Sequence, residues 1–325
     1  MILAALLTAG ASLVLFGSGF FNFLTPFPVS LLAFRKGLRP TVVAVFLSLV
    51  CLYLLYRFAG EGLIALPGMI FFPHWSLSQI RAIALVSFFY YVWIGLAVIW
   101  LGNRKISWEK GVGGIALSAI LLSAVLFLGL TGGDGLSVLT GLRGALTFLL
   151  DRLMQLNPAL SSEEQSFLSG PFVETFLRLL PAVWILMTVA VVALNLLLLR
   201  RWVSRNIFSP AGEFPLWRIR EEWIWVPVGL GTLTLLNHYL WGLGWLSWGL
   251  VNGLLVVASL YFFQGLSIGL FIIRKNFSPV MQLLMFLLFL LLSQPLSFML
   301  ILLGLFDFWF DFRKIKKGVA HANHS

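Results

Sequence analysis

Charge is scarce in this sequence. Only 10% of its 325 residues are Asp, Glu, Lys or Arg, and residues 1–34 carry none. A composition so poor in charge cannot cover a soluble core with a solvated surface. Cysteine is nearly absent too: the single Cys51 excludes an intramolecular disulfide and a cysteine metal site. Within the apolar runs there is no pair of acids, no nucleophile beside a base and no histidine pair at ligand spacing, which argues against an enzyme, and no cofactor motif is present.

What fills the sequence instead is apolar. It is 60% hydrophobic, with 30 Phe and 13 Trp, more apolar surface than one soluble core could bury. The chain reads as a single integral membrane domain, 1–325, with the lipid bilayer as its first partner. The net charge of +10 does not imply nucleic acid, because the basic residues sit in short clusters between apolar runs, as flanks of membrane helices do.

A secretory signal needs a basic region ahead of its apolar core, so 2–21 reads as an uncleaved membrane helix. Pro26 and Pro28 in "NFLTPFPVSLLAF" then impose a break, because proline removes a donor and restricts its neighbour, and a short half-helix runs on to Arg35. Runs long enough to span, which needs about 20 residues, follow at 40–58, 79–101, 111–130, 180–199, 223–241 and 246–273. Lysine and arginine cluster at Arg35 to Arg39, Arg104 to Lys110, 200–222 and Arg274-Lys275. These segments are expected to face the cytoplasm. The acid-richer 131–179 and the N-terminus then fall outside.

Arg274-Lys275 and the basic residues from Arg313 to Lys317 are both cytoplasmic by that rule, so one helix cannot join them. The expectation is a hairpin turning at Ser293-Gln294-Pro295, ending in an aromatic and basic interfacial anchor, 307–325, that is cytoplasmic. Counting the hairpin, the fold class is all-α: a polytopic bundle of eight or nine membrane helices. The outer segment is amphipathic: Arg143, Thr147, Asp151 and Gln155 share one half of a wheel, and Val138, Leu142, Leu146 and Leu149 the other. Asn157-Pro158 ends that helix, and Ser161 with Glu164 form a capping box for the next. The segment is either a lid over a cavity or a surface helix covering the bundle.

Close packing is expected along 246–273, where Gly249 and Gly253, and Gly265 and Gly269, make two small-xxx-small pairs on nearly opposite faces. Polar groups inside apolar runs are functional candidates: Asn22, Asn195, Asn237, His238, Asn252, Gln264, Gln282 and Gln294, with Glu174 and Arg178 near the outer boundary. Interhelical bonding is the plainer role for each. "TGGDG" at 131–135 lacks the lysine of a nucleotide loop, and "HANH" at 321–324 reads as tail.

The ordered set "PFPVSLLAFRKG", "LPAVWILMTVAVVALNLLLLRRWVSRN", "FPLWRIREEWIWVP", "LYFFQGLSIG" and "LLGLFDFWFDFRK" resembles the YybS-like family of bacterial membrane proteins. That family is distantly similar to the substrate-capture components of energy-coupling-factor transporters. The resemblance implies a place in the bacterial cytoplasmic membrane and a solute-binding or transport subunit, working with other membrane subunits. Its ligand groups would be Tyr90, Tyr91, Trp93, Arg178, Asn237, His238 and Asn252 under the outer segment. Arg178 would hold an anionic group, since its guanidinium matches a carboxylate or phosphate. The alternative is a non-transporting scaffold that binds partners through its glycine faces and the basic segment 200–222.

Overall fold

The computed structural model describes residues 1–58, 77–102, 108–130, 135–157, 161–203 and 217–313, and every regular element among them is helical. "TGGDG" up to Asp134, "HANH", the basic residues Arg104, Lys105 and Arg205, and the lysines after Arg313 lie outside these residues. The chain divides into two compact units, Met1–Ala211 and Gly212–Ser325.

The first unit holds α1 (Ile2–Gly17), a 3-10 turn (Asn22–Leu24), α2 (Pro26–Lys36), α3 (Leu38–Phe58), α4 (Leu77–Gly102), α5 (Trp108–Leu130), α6 (Gly135–Leu156), α7 (Ser162–Phe167) and α8 (Val173–Trp202). Helix α1 ends at Gly17, short of the expected Phe21. There the Ser18 hydroxyl donates to the Leu15 carbonyl at 2.6 Å and accepts from the Phe21 N–H at 2.9 Å, and Gly19 takes φ +68°. Helix α2 is the half-helix that the prolines imply. Pro26 and Pro28 sit in its first turn, where backbone N–H groups have no intrahelical partner to lose, and Gly37 at φ +89° turns the chain into α3.

Helix α2 is central. Its Val29, Ser30, Leu32 and Ala33 are all buried. It meets α4 at Gly95, where a Cβ would lie 3.1 Å from the Pro26 carbonyl oxygen and 3.3 Å from Val29. Ser30 Oγ sits 3.0 Å from both the Gly95 and the Pro26 carbonyl oxygens and donates between them. Helix α1 uses Ala5 and Ala9 as its buried stripe, Ala5 packing with Leu32 and Ala44. The main core joins Ile94 and Val98 of α4, Val112, Ile115 and Ala119 of α5, and Val192, Leu196 and Leu199 of α8.

Helices α7 and α8 are one continuous rod, Ser162–Trp202, of 41 residues. At 1.5 Å per residue it is about 60 Å long, twice the roughly 30 Å hydrocarbon core. Its start is fixed by the Ser161–Glu164 capping box: the Glu164 N–H donates to Ser161 Oγ at 3.3 Å and the Ser161 N–H to Glu164 Oε2 at 2.8 Å. A π turn at Leu168–Phe172 absorbs Pro171 without ending the rod.

The second unit holds a 3-10 turn (Glu221–Ile224), α9 (Trp225–Leu236), a π turn (Asn237–Trp241), α10 (Gly244–Asn276), α11 (Pro279–Leu291) and α12 (Ser293–Phe310). Gly242 at φ +63° closes the α9–α10 hairpin. Between Pro279–Phe289 and Gln294–Phe310 the chain bends by 109°, and Pro295 falls in the first turn of α12, where it costs no hydrogen bond. Helix α12 then crosses α10 backbone to backbone. A Cβ on Gly265 would run into the Leu300 carbonyl, and one on Gly304 into the Tyr261 carbonyl. Gly253 meets only the Leu230 side chain, at 3.4 Å, Gly269 the tip of Leu300 at 3.8 Å, and Gly249 nothing within 4 Å.

Among the described residues four helices are long and apolar enough to cross a bilayer, Leu38–Leu55, Ile83–Trp100, Ser162–Trp202 and Gly244–Asn276, or five if the bent pair counts as one span. The reciprocal glycine crossing sets a test. Gly265→Leu or Gly304→Leu is expected to exceed the ~1–3 kcal/mol typical of overpacking and to abolish a monodisperse peak in detergent size-exclusion chromatography. Gly249→Leu should elute and melt like the wild type.

Candidate functional site

A cavity of about 720 Å³, open on one side where Met187 and Leu139 are exposed, lies in the first unit, well within the roughly 300–1,000 Å³ range of ligand sites. One wall is α4, through Ile83, Val86, Ser87, Tyr90 and Tyr91; the facing wall is α8, through Leu180, Val183, Trp184, Met187 and Val191. Both sets recur at three and four residues, so each wall is one helix face. Asn22 and Phe23 of the 3-10 turn, Ser123 of α5, and Leu139 and Leu142 of α6 complete it. The amphipathic helix α6 therefore contributes its apolar side to the cavity.

Hydrogen bonds hold these walls in place. The Tyr90 hydroxyl donates to Thr188 Oγ1 at 2.7 Å, and Thr188 donates to the Trp184 carbonyl at 2.8 Å, tying α4 to α8. Asn195, fully buried on α8, donates its amide to the carbonyls of Phe23 and Val191, both at 2.8 Å. That bond pins the 3-10 turn beside the cavity. Glu174 of α8 pairs with Arg143 of α6, though a pair so exposed is worth only about 0–1 kcal/mol.

Of the residues singled out in the sequence, Tyr90 and Tyr91 line this cavity together, 5.1 Å between ring centroids. Trp93 points elsewhere, donating to Ser118 Oγ of α5 at 3.1 Å and packing on the core. Arg178 is exposed on the first turns of α8 and is not among the lining residues. Asn237, His238 and Asn252 belong to the second unit. Asn237 is spent on the α9–α10 turn: its amide donates to the Leu243 carbonyl and Ser247 Oγ, and its oxygen accepts from the Leu243 N–H. His238 is exposed against Tyr239. Asn252 donates to the Trp248 carbonyl of its own helix.

The α8 wall was missed by sequence reasoning because large apolar residues at helical spacing look the same whether they face a void or a neighbour. Equally hidden was a polar centre in the second unit. The sequence places Asp307 and Arg313 among headgroups, whereas both side chains are fully buried. Arg313 Nη2 donates to Asp307 Oδ2 at 2.8 Å, and its Nη1 donates to Ser267 Oγ and the Trp217 carbonyl. Gln264 also donates to Asp307 Oδ2, at 3.2 Å, and Arg218 approaches both Asp307 and Asp311. Asp311 takes a left-handed φ of +42°, which folds Arg313 back into the helix pair. The signal available beforehand was the i, i+3 pair Gln264 and Ser267 in one apolar run, with Asp307 at the end of another. Among the described residues no group of three His, Cys, Asp or Glu is placed to hold a metal.

Removing one member of a buried ion pair strands the other. Asp307→Leu is therefore expected to cost about 3–5 kcal/mol, while Asp307→Leu with Arg313→Met should recover much of it. Thermal melts of the purified variants, followed by tryptophan fluorescence, check the order.

No curated protein and no solved structure is matched by the chain. A family model does match, over residues 76–308, a stretch that runs from α4 through the cavity walls of α4 and α8 to Asp307 in α12. With most of its length covered, the chain belongs to the family described as "Predicted membrane protein (DUF2232)".

Proposed function

We propose that the chain is a solute-binding subunit of a membrane transport system and that the cavity between α4 and α8 is its solute site. The cavity itself carries the reading: about 720 Å³ bordered by four helices and a turn, open on one side where Met187 and Leu139 are exposed, has the size of a ligand site. The resemblance to substrate-capture components points the same way, with α6 as the cover and further membrane subunits as partners. Eight or nine crossings are reached by adding α1, α5, α9 with its π turn, α11 and α12 to the four long spans. In a bacterial cytoplasmic membrane the basic ends then lie inside. The core of α4, α5 and α8 lies toward Lys110, Arg200 and Arg201, so the cavity opens in the outer half.

Support for the scaffold alternative is thinner. Gly265, the tightest of the glycines it would use, is taken up within the chain by α12.

Protein purified in mild detergent is expected to carry a small molecule, seen as a mass increment by native mass spectrometry, that is missing from Val191→Trp. An unladen wild type would favour the scaffold. Topology has its own test in a Cys51→Ser background. A cysteine at Ser162 should react with a membrane-impermeant maleimide in intact cells, and one at Ser325 only after lysis.

A further inference from the structure

We infer that the ligand of this cavity is a neutral amphiphile: an uncharged, mostly apolar body carrying one hydroxyl or N–H donor. The inference rests on the reading of the cavity as the solute site. Its first ground is charge. No Asp, Glu, Lys, Arg or His lines the cavity among the described residues. A charged solute would leave water with no counter-ion opposite it, which is the most expensive way to bury an ion. The anionic group that the sequence assigned to Arg178 therefore has no partner at this site.

The second ground is the direction of the hydrogen bonds already made. The Tyr90 proton is committed to Thr188 and the Thr188 proton to the Trp184 carbonyl. Ser123 likewise donates to the Ala119 carbonyl at 2.8 Å. A hydroxyl has one proton and two lone pairs. Tyr90 and Ser123 thus face the cavity as acceptors, so at the Tyr90 end the complementary ligand group is a donor, while Asn22, Ser87 and Tyr91, which also line the cavity, can meet a donor or an acceptor. Beside them, Tyr91, Trp184 and Phe23 offer aromatic surface, which suits a flat or extended apolar body.

Three probes with one aromatic body separate these claims: 2-naphthol, neutral with a donor; 2-methoxynaphthalene, neutral without one; and 2-naphthoate, charged. Equilibrium dialysis against the protein in lipid nanodiscs, corrected with empty nanodiscs, measures each. Naphthol should bind saturably, and two cavity-filling changes from opposite walls, Val191→Trp and Ser87→Phe, should each weaken it at least about tenfold. Loss of the donor should weaken binding by a factor of about 3–10, a difference that vanishes in Tyr90→Phe, and naphthoate should be weaker still.

Naphthoate binding as tightly as naphthol, with the same sensitivity to both fillings, would overturn the ligand class and leave the solute-binding reading standing. Equal binding of naphthol and its methyl ether to the wild type would remove the donor from the inference. If no probe shows a component sensitive to either filling, the solute site itself falls. A long-chain alcohol confined to the bilayer separates the two sources of such a ligand: displacement of naphthol supports supply from the lipid phase, and lack of displacement supports supply from water.

Discussion

A helix of eleven residues cannot reach across a membrane bundle. Helix α2, Pro26–Lys36, is about 16 Å long, half the depth of the roughly 30 Å apolar layer, yet it occupies the middle of the first unit. From Phe27 to Ala33 it fills the space between α1, α3, α4 and α8, closing onto α4 at Gly95. Where it stops, nothing of the same bulk replaces it among the described residues. The 3-10 turn that leads into it, Asn22–Leu24, forms part of the cavity wall, and the long faces of α4 and α8 continue past it with a gap between them. The cavity is thus a consequence of the half-helix, and α6 is the element that lies over what α2 leaves unfilled.

This explains which parts of the first unit could be read in advance. The prolines at 26 and 28 are local signals of the half-helix, whose end at Lys36 lies one residue past the expected Arg35; the residues ahead of them, expected to be extended, are helical instead, Thr25 at φ −52° and Phe27 inside α2. The Ser161–Glu164 box is another such signal. Tyr90 and Tyr91 could be singled out as polar groups in an apolar run. The facing wall could not, because Val183, Met187 and Val191 make the same pattern as any buried helix face, and whether they meet a neighbour depends on how far α2 extends. Trp93 illustrates the converse: three residues from Tyr90 it shares the same broad helix face, and it is the Ser118 hydroxyl of α5, which accepts its indole N–H, that draws it away from the cavity.

The second unit rests on a different constraint. Without water to drive apolar faces together, two membrane helices associate through close van der Waals contact and interhelical hydrogen bonds. Helices α10 and α12 use both. Gly265 and Gly304 face each other's backbone, a contact that admits Cα–H to carbonyl bonds and tolerates no side chain. Beyond the crossing, Gln264 and Ser267 on α10 meet Asp307 and Arg313 at the end of α12. The spacing of Gly304 and Asp307 puts both on the side of α12 that faces α10, so the glycine contact brings the carboxylate within reach of the glutamine. Glycine faces could be listed from the sequence. Their partner could not, since Gly304 stands alone in its run and gains meaning only when α12 turns back.

Burial of this cluster also bears on what Asp307 can do. A carboxylate at an interface is solvated and free to exchange partners. One enclosed with Arg313 at 2.8 Å, Gln264 at 3.2 Å and the Phe312 N–H at 3.1 Å has its acceptor positions taken by fixed donors. Ion pairs of this kind add little net stability over an apolar replacement, but they tolerate few alternative arrangements. A one-residue slip of α12 along α10 would separate Asp307 from Gln264 and press a side chain against the Tyr261 carbonyl. Glycine contact and ion cluster therefore select the same register. The C-terminal acids and arginine of this chain are best understood as the lock on that register, which is why an aromatic, basic ending typical of a headgroup anchor carries its most consequential pair inside the protein.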